Sequence, residues 1–155
     1  MEDNILMMDN NKIISLSDLS PSVNIANYFY IEKGVDRWGP RTLTDFELIL
    51  IREGDYLYEE KGKNPVELTG NDLLVIPPFH QHILSLSGNS KKNPAIACIH
   101  NHPYSYDIDE RIVVSPEIRR KTTLSEEDFC EVNHIFSRAA TLFQGNHLYH
   151  SELLS

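Results

Sequence analysis

The 155 residues carry 14 basic against 23 acidic side chains, a formal net charge of −9, and 41% of them are hydrophobic. That apolar share suits a packed globular core and excludes disorder for the bulk of the chain, and the length fits one domain with an appendage. The negative balance argues against a nucleic-acid face, which needs clustered cations to displace counterions from phosphate.

Residues 1–20 are polar and rich in Asn and Asp, with short apolar pieces at 5–8 and 13–16, and they end at Ser20-Pro21. Proline disfavours helix in the residue before it, so this stretch reads as an arm. Its acidic start is unlike the positively charged head of a secretory signal, and no apolar run approaches the roughly 20 residues that span a bilayer. A cytoplasmic protein without a membrane partner is expected. Cys98 and Cys130 form no CxxC pair, and in a reducing compartment both read as buried thiols.

Residues 21–115 change character. Apolar runs of strand length at 23–31, 46–51, 56–58, 66–68, 73–76, 82–86 and 95–99 alternate with turn residues such as Gly34, Gly54, Gly62, Gly70 and Gly88. Short strands at this spacing, with no long helical period between them, predict an antiparallel sandwich or barrel.

Residues 116–155 read as helical. The cluster Arg119, Arg120 and Lys121 precedes Glu126, Glu127 and Asp128 and is expected to be a solvated linker. Ser125 followed by three acids is an N-cap and first turn. Phe129, Val132, Ile135, Phe136, Ala139, Ala140 and Phe143 then recur at helical spacing. Gly145-Asn146 is expected to end that helix, and residues 147–155 to open a second one that continues past Ser155 in the natural protein.

The most specific segment is Gly70-Asn71-Asp72-Leu73-Leu74-Val75-Ile76-Pro77-Pro78-Phe79-His80-Gln81-His82. It resembles the second cupin motif: a Gly-Asp turn, a buried strand, a proline corner and an inward histidine, here His82. Phe79 stands where a glycine is usual, so the corner is expected to differ. Residues 41–54 are similar to the first cupin motif, with Glu47 and Gly54 at the family's acid-to-glycine spacing. Arg41 and Leu43 hold roughly the places of its two histidines. Imidazoles give such sites their affinity for iron or zinc, so Glu47 and His82 alone make a poor metal site, and neither metal nor cofactor is expected.

With the helical tail, these motifs resemble the sensing domain of AraC-type transcription regulators. The resemblance implies a mainly β fold, a cupin-type antiparallel β-barrel (jelly roll) followed by two C-terminal helices. It implies a small polar effector, a sugar or sugar derivative, bound in the barrel, with the N-terminal arm folding over the pocket. It also implies a homodimer formed through the tail, with Phe136, Leu148, Leu153 and Leu154 as apolar contacts. DNA would be reached through a helix-turn-helix domain lying further along the natural chain.

For the effector, Arg41 offers a bidentate donor, and Glu47, His80 and His82 offer groups for hydroxyls. Trp38, Tyr30 and Tyr58 offer flat faces for a sugar ring. Each has a structural alternative: the aromatics as core, Trp38 as a loop cover on the barrel end, Glu47 as an acid paired with Arg41. No nucleophile motif or phosphate-binding glycine loop is present, so the chain is read as a non-enzymatic sensor. The competing reading is a small metal-dependent cupin enzyme, of sugar isomerase or dioxygenase type, using His80, His82, His100 or His102.

Overall fold

Strand-length apolar runs punctuated by turns fold here into antiparallel ladders. In the computed structural model the described residues are 6–7, 13–14, 22–88, 93–102, 104–105, 110–111 and 118–153. The strands are β1 (Leu6–Met7), β2 (Ile13–Ile14), β3 (Ser22–Tyr30), β4 (Arg37–Arg41), β5 (Phe46–Glu53), β6 (Tyr56–Glu60) and β7 (Val66–Leu68). They continue with β8 (Asp72–Ile76), β9 (His82–Leu86), β10 (Ala95–His102), β11 (Tyr104–Ser105), β12 (Glu110–Arg111) and β13 (Lys121–Thr123). Helix α1 (Glu126–Leu153) follows.

One sheet has the order β13-β8-β5-β10-β3 and the other β4-β9-β6-β7, while β1 pairs with β2 and β11 with β12. Ile49 and Ile51 of β5, Leu74 and Ile76 of β8, and Ile96 and Cys98 of β10 pack against Tyr56, Tyr58, Leu68 and Leu84 of the four-stranded sheet. Strand β5 reads as a nearly continuous apolar run because both its faces are covered. Its Leu50, with Ala26, Ala97 and Ile99, instead meets Phe136 and Ala140 of α1. Strand β6 alternates buried and less buried residues because only its inner face is covered.

Three expectations are corrected. Among the described residues the two sheets face each other without closing, with β13 and β3 as the edges of one and β4 and β7 as the edges of the other. The tail is one helix of 28 residues rather than two, running through Gly145-Asn146. Glycine costs a helix interior only about 1 kcal/mol relative to alanine, which does not oblige a stop. The linker around Arg120 is also not all solvated. Arg120 is 7% exposed, and Lys121–Thr123 adds an edge strand to β8.

Six strands went unread in the sequence: the two-residue β1, β2, β11 and β12, and the edge strands β13 and β4. Trp38, expected in a loop, lies on β4, where Gly39-Pro40 breaks the apolar pattern while the chain still pairs with β9. Gly39 has φ +109°, and a Cβ there would stand 2.6 Å from the His82 carbonyl oxygen, so only glycine fits. Phe79 adopts the left-handed conformation itself, at φ 66°, with its N–H donating to the Leu43 carbonyl at 2.8 Å. The proline corner therefore keeps the backbone conformation that glycine would take more readily.

Helix α1 starts where expected. The Asp128 N–H donates to Ser125 Oγ at 3.1 Å, and Glu126, Glu127 and Asp128 occupy the positive end of the helix dipole. Its seam runs through Phe129, Val132, Phe136, Ala139, Ala140 and Phe143. Ile135, assigned to that stripe from sequence, points away and is 58% exposed. No helix among the described residues is long and apolar enough to cross a membrane. Apart from the β1–β2 ladder, the N-terminal arm lies outside the described residues, as do Leu154 and the side chains of Leu148 and Leu153.

Candidate functional site

Strand register sets two polar rows against each other. Across the four-stranded sheet, Arg41 of β4 pairs with His82 of β9, and His82 with Glu60 of β6. Across the five-stranded sheet, Glu47 of β5 pairs with His100 of β10. Glu60 shares the inner face with Tyr56 and Tyr58 by alternation, and His100 shares one with Ile96 and Cys98. The rows are joined by Arg41, whose Nη2 donates to Glu47 Oε2 at 2.5 Å and whose Nε donates to His82 Nε2 at 3.2 Å.

The hydrogen-bond partners define the protonation states. His82 Nδ1 lies 2.9 Å from the His80 carbonyl, which can only accept, and Arg41 Nε can only donate. His82 is therefore neutral, protonated on Nδ1 and accepting at Nε2. Burial lowers its pKa, and the Arg41 charge adds to that shift. His100 meets a carboxylate at each nitrogen, Asp45 at 3.2 Å from Nδ1 and Glu47 at 3.1 Å from Nε2. Contact with the Cys98 sulfur and the bond to Glu47 raise its pKa to about 10, so it is an imidazolium. Burial alone would raise Glu47, but the His100 hydrogen bond and the Arg41 and His100 charges outweigh it and hold Glu47 ionised.

The network continues to Glu60, 5% exposed, which accepts two bonds from Arg120, at 2.8 Å from Nε and 2.9 Å from Nη2. The Tyr58 hydroxyl donates to Glu60 Oε2 at 2.9 Å, and His80 Nδ1 lies 3.0 Å from Oε1. The Arg120 bonds first, then the Tyr58 bond and the Arg120 and Lys63 charges, outweigh burial and lower the Glu60 pKa to about 2. Burial and the bond to Glu60 push the Tyr58 hydroxyl pKa up. The Tyr58 and His82 rings are 5.8 Å apart, closing the chain of contacts between Arg41 and Arg120. Three carboxylates, Asp45, Glu47 and Glu60, thus face three cations, Arg41, His100 and Arg120.

Of the residues expected to contact a ligand, Arg41, Glu47, His80, His82 and Tyr58 come together in this network. Trp38 packs partly buried against the core between the sheets. Tyr30 does not join them: it is 61% exposed, with the Arg52 guanidinium 5.2 Å from its ring centre. Phe136, expected at a dimer contact, is buried between α1 and its own sheet. Asp45, Glu60 and Arg120 were missed from sequence. Alternation after Tyr56 and Tyr58 carried the signal for Glu60, whereas nothing local marked Arg120 as buried.

Arg41 and His80 are the more exposed members, with side chains 32% and 30% exposed. A cleft of about 270 Å³ reaches Glu60 and His82 between Pro40, Lys63 and Gln81. A larger open cleft of about 690 Å³ lies at the opposite end of the four-stranded sheet, bordered by Asp55, Glu67, Thr69, Ser87 and Lys121. Size favours the larger one, yet it touches none of the interlocked charges, and its Asp72 is already bonded to Thr69 N and Thr123 Oγ1. We place the candidate site at the smaller cleft, where perturbed buried groups converge. The motif positions do not fit the cupin metal set, since Arg41 stands in a histidine's place and bonds both Glu47 and His82.

The chain thus defines a class of two-sheet antiparallel β domain with one covering helix and a polar network between the sheets. No family model matches it, and no curated protein does. Among solved structures it is similar to apo ToxT from Vibrio cholerae strain SCE256, with TM-score 0.49 and 11% identity over 74% of this chain. The chain spans 46% of that protein, less than half its length. It is also similar to a cupin 2 domain-containing protein from Halorhodospira halophila, at TM-score 0.41 and 14% identity, covering 89% of this chain and 95% of that one. The DMSP lyase DddQ from Ruegeria pomeroyi DSS-3 gives TM-score 0.40 and 14% identity over 76% of this chain and 64% of that one.

Proposed function

We propose that this chain is the effector-sensing and dimerisation part of an AraC-type transcription regulator, binding a small polar metabolite of the sugar or sugar-acid class. The observation that carries the reading is the interlocked charge network with Arg41 at its accessible edge. A polyhydroxylated ligand in the cleft meets Glu60 and His82, and Arg41, which follows Pro40 of its lining and bonds His82, offers a further donor at its border. Such contacts change how β4, β6 and β9 are held together, and binding alters conformation only through such differences in affinity between states.

The protein acts in the cytoplasm as a homodimer and touches DNA only through a further domain, in keeping with its net charge of −9. Ile135 and Leu142, 58% and 57% exposed and seven residues apart on one face of α1, are exposed apolar groups that self-association through the helix can use.

A thermal-shift screen against hexoses, pentoses and hexuronates tests the binding. At a hundred times its dissociation constant a ligand adds about 2.7 kcal/mol, roughly 5–10 °C in Tm for a domain of this size. A shift that disappears in Arg41→Ala and His82→Ala supports the reading. No shift across the panel, or one that both variants retain, contradicts it.

A further inference from the structure

Strand β10 brings a second set of groups to the same interior. Glu47, Cys98 and His100 are all buried, and one ligand atom from each lies within 4.8 Å of the others. Cys98 and His100 are alternate residues on one face of β10, and Glu47 stands opposite His100 in register. The 3.1 Å between His100 Nε2 and Glu47 Oε1 is close to the separation of two ligands on a tetrahedral zinc ion, about 3.3 Å.

The surrounding groups suit that arrangement. Asp45 Oδ1 holds His100 Nδ1 at 3.2 Å, the orientation by which carboxylates aim a metal-binding imidazole through its other nitrogen. Arg41 engages Glu47 Oε2, which leaves Oε1 for a cation. Asn27 Nδ2 lies 3.8 Å from Cys98 Sγ and can donate to a thiolate.

We propose that Glu47, Cys98 and His100 form a binding site for a zinc-class divalent cation. Thiolate and imidazole select zinc, cobalt or nickel over magnesium and calcium, which prefer oxygen. The protons balance. Without metal, Asp45 and Glu47 offset Arg41 and the His100 imidazolium, and the Cys98 thiol is neutral. A divalent cation displaces one proton from Cys98 Sγ and one from His100 Nε2, so its two charges replace two protons and the cluster stays neutral. Two of the three ligands come from the last long strand, outside the motif segments around Glu47 and His82. The inference does not rest on the sensor reading.

The test is titration of the dialysed full chain with Co²⁺, followed by displacement with Zn²⁺. One equivalent of Co²⁺ should give a thiolate-to-cobalt charge-transfer band together with tetrahedral d–d absorption. Cys98→Ser should abolish that band and Cys130→Ser keep it, while Glu47→Gln and His100→Gln each weaken binding at least tenfold. A wild-type chain that shows no such band overturns the site, as does a band that survives Cys98→Ser and vanishes in Cys130→Ser. Loss of cobalt binding with retained sugar binding refutes this site alone, and the reverse result refutes the sensor reading alone.

Discussion

Glu60, 5% exposed, accepts bonds from Arg120 and Tyr58, with His80 Nδ1 3.0 Å from Oε1. Its pKa falls from 4.5 to about 2. A carboxylate held low stabilises the fold fully above the unfolded value, and that contribution is lost as pH drops from about 4.5 toward 2. By pH 3 the loss is on the order of 2 kcal/mol. Denaturant midpoints of the wild type and Glu60→Gln, compared at pH 6 and pH 3, should converge on acidification, and parallel shifts would show that Glu60 is not held low. Arg120 belongs to the same pair. Arg120→Met should cost roughly 3–5 kcal/mol by stranding the buried carboxylate. The double variant with Glu60→Met should lose less than the sum of the singles, and strict additivity would mean the two side chains do not interact.

At the level of elements, α1 covers the outer face of the five-stranded sheet through Phe136 and Ala140, and the Tyr28 hydroxyl donates to Asn133 Oδ1 at 3.0 Å. Phe136→Ala should destabilise the fold by roughly 3–5 kcal/mol. Arg138→Ala, on the exposed side of the same helix, should stay within about 0.5 kcal/mol of the wild type. Equal losses at the two positions would contradict the helix placement. The helix start was legible because a cap is a local device: Ser125 and three acids declare it. Its continuation through Gly145 was not, because an isolated glycine weakens a helix without ending it. Strand β4 was hidden by Gly39-Pro40, and β13 by its polar sequence. Both are edge strands, recognisable chiefly by the neighbours they pair with, β9 and β8.

For the whole molecule, the alternation of strands and turns revealed the antiparallel class, but closure depends on which edges meet, and among the described residues β3, β4, β7 and β13 remain edges. The site was readable in part for the same reason. Glu47 and His82 were marked by their motifs and Arg41 by its spacing to Glu47, all short-range signals. Their joining to His100, Glu60 and Arg120 depends on pairing between residues far apart in the chain, which periodicity does not carry. The two clefts at opposite ends of the four-stranded sheet also become distinct only once the sheets are assembled.

The two clefts make the place of effector binding measurable. Isothermal titration of the sugar or sugar acid found in the screen should be run on the wild type, Arg41→Ala and Lys121→Ala. Binding lost in Arg41→Ala and kept in Lys121→Ala would locate the effector at the charge network. Binding kept in Arg41→Ala and lost in Lys121→Ala would contradict the account and move the site to the opposite end of the sheet.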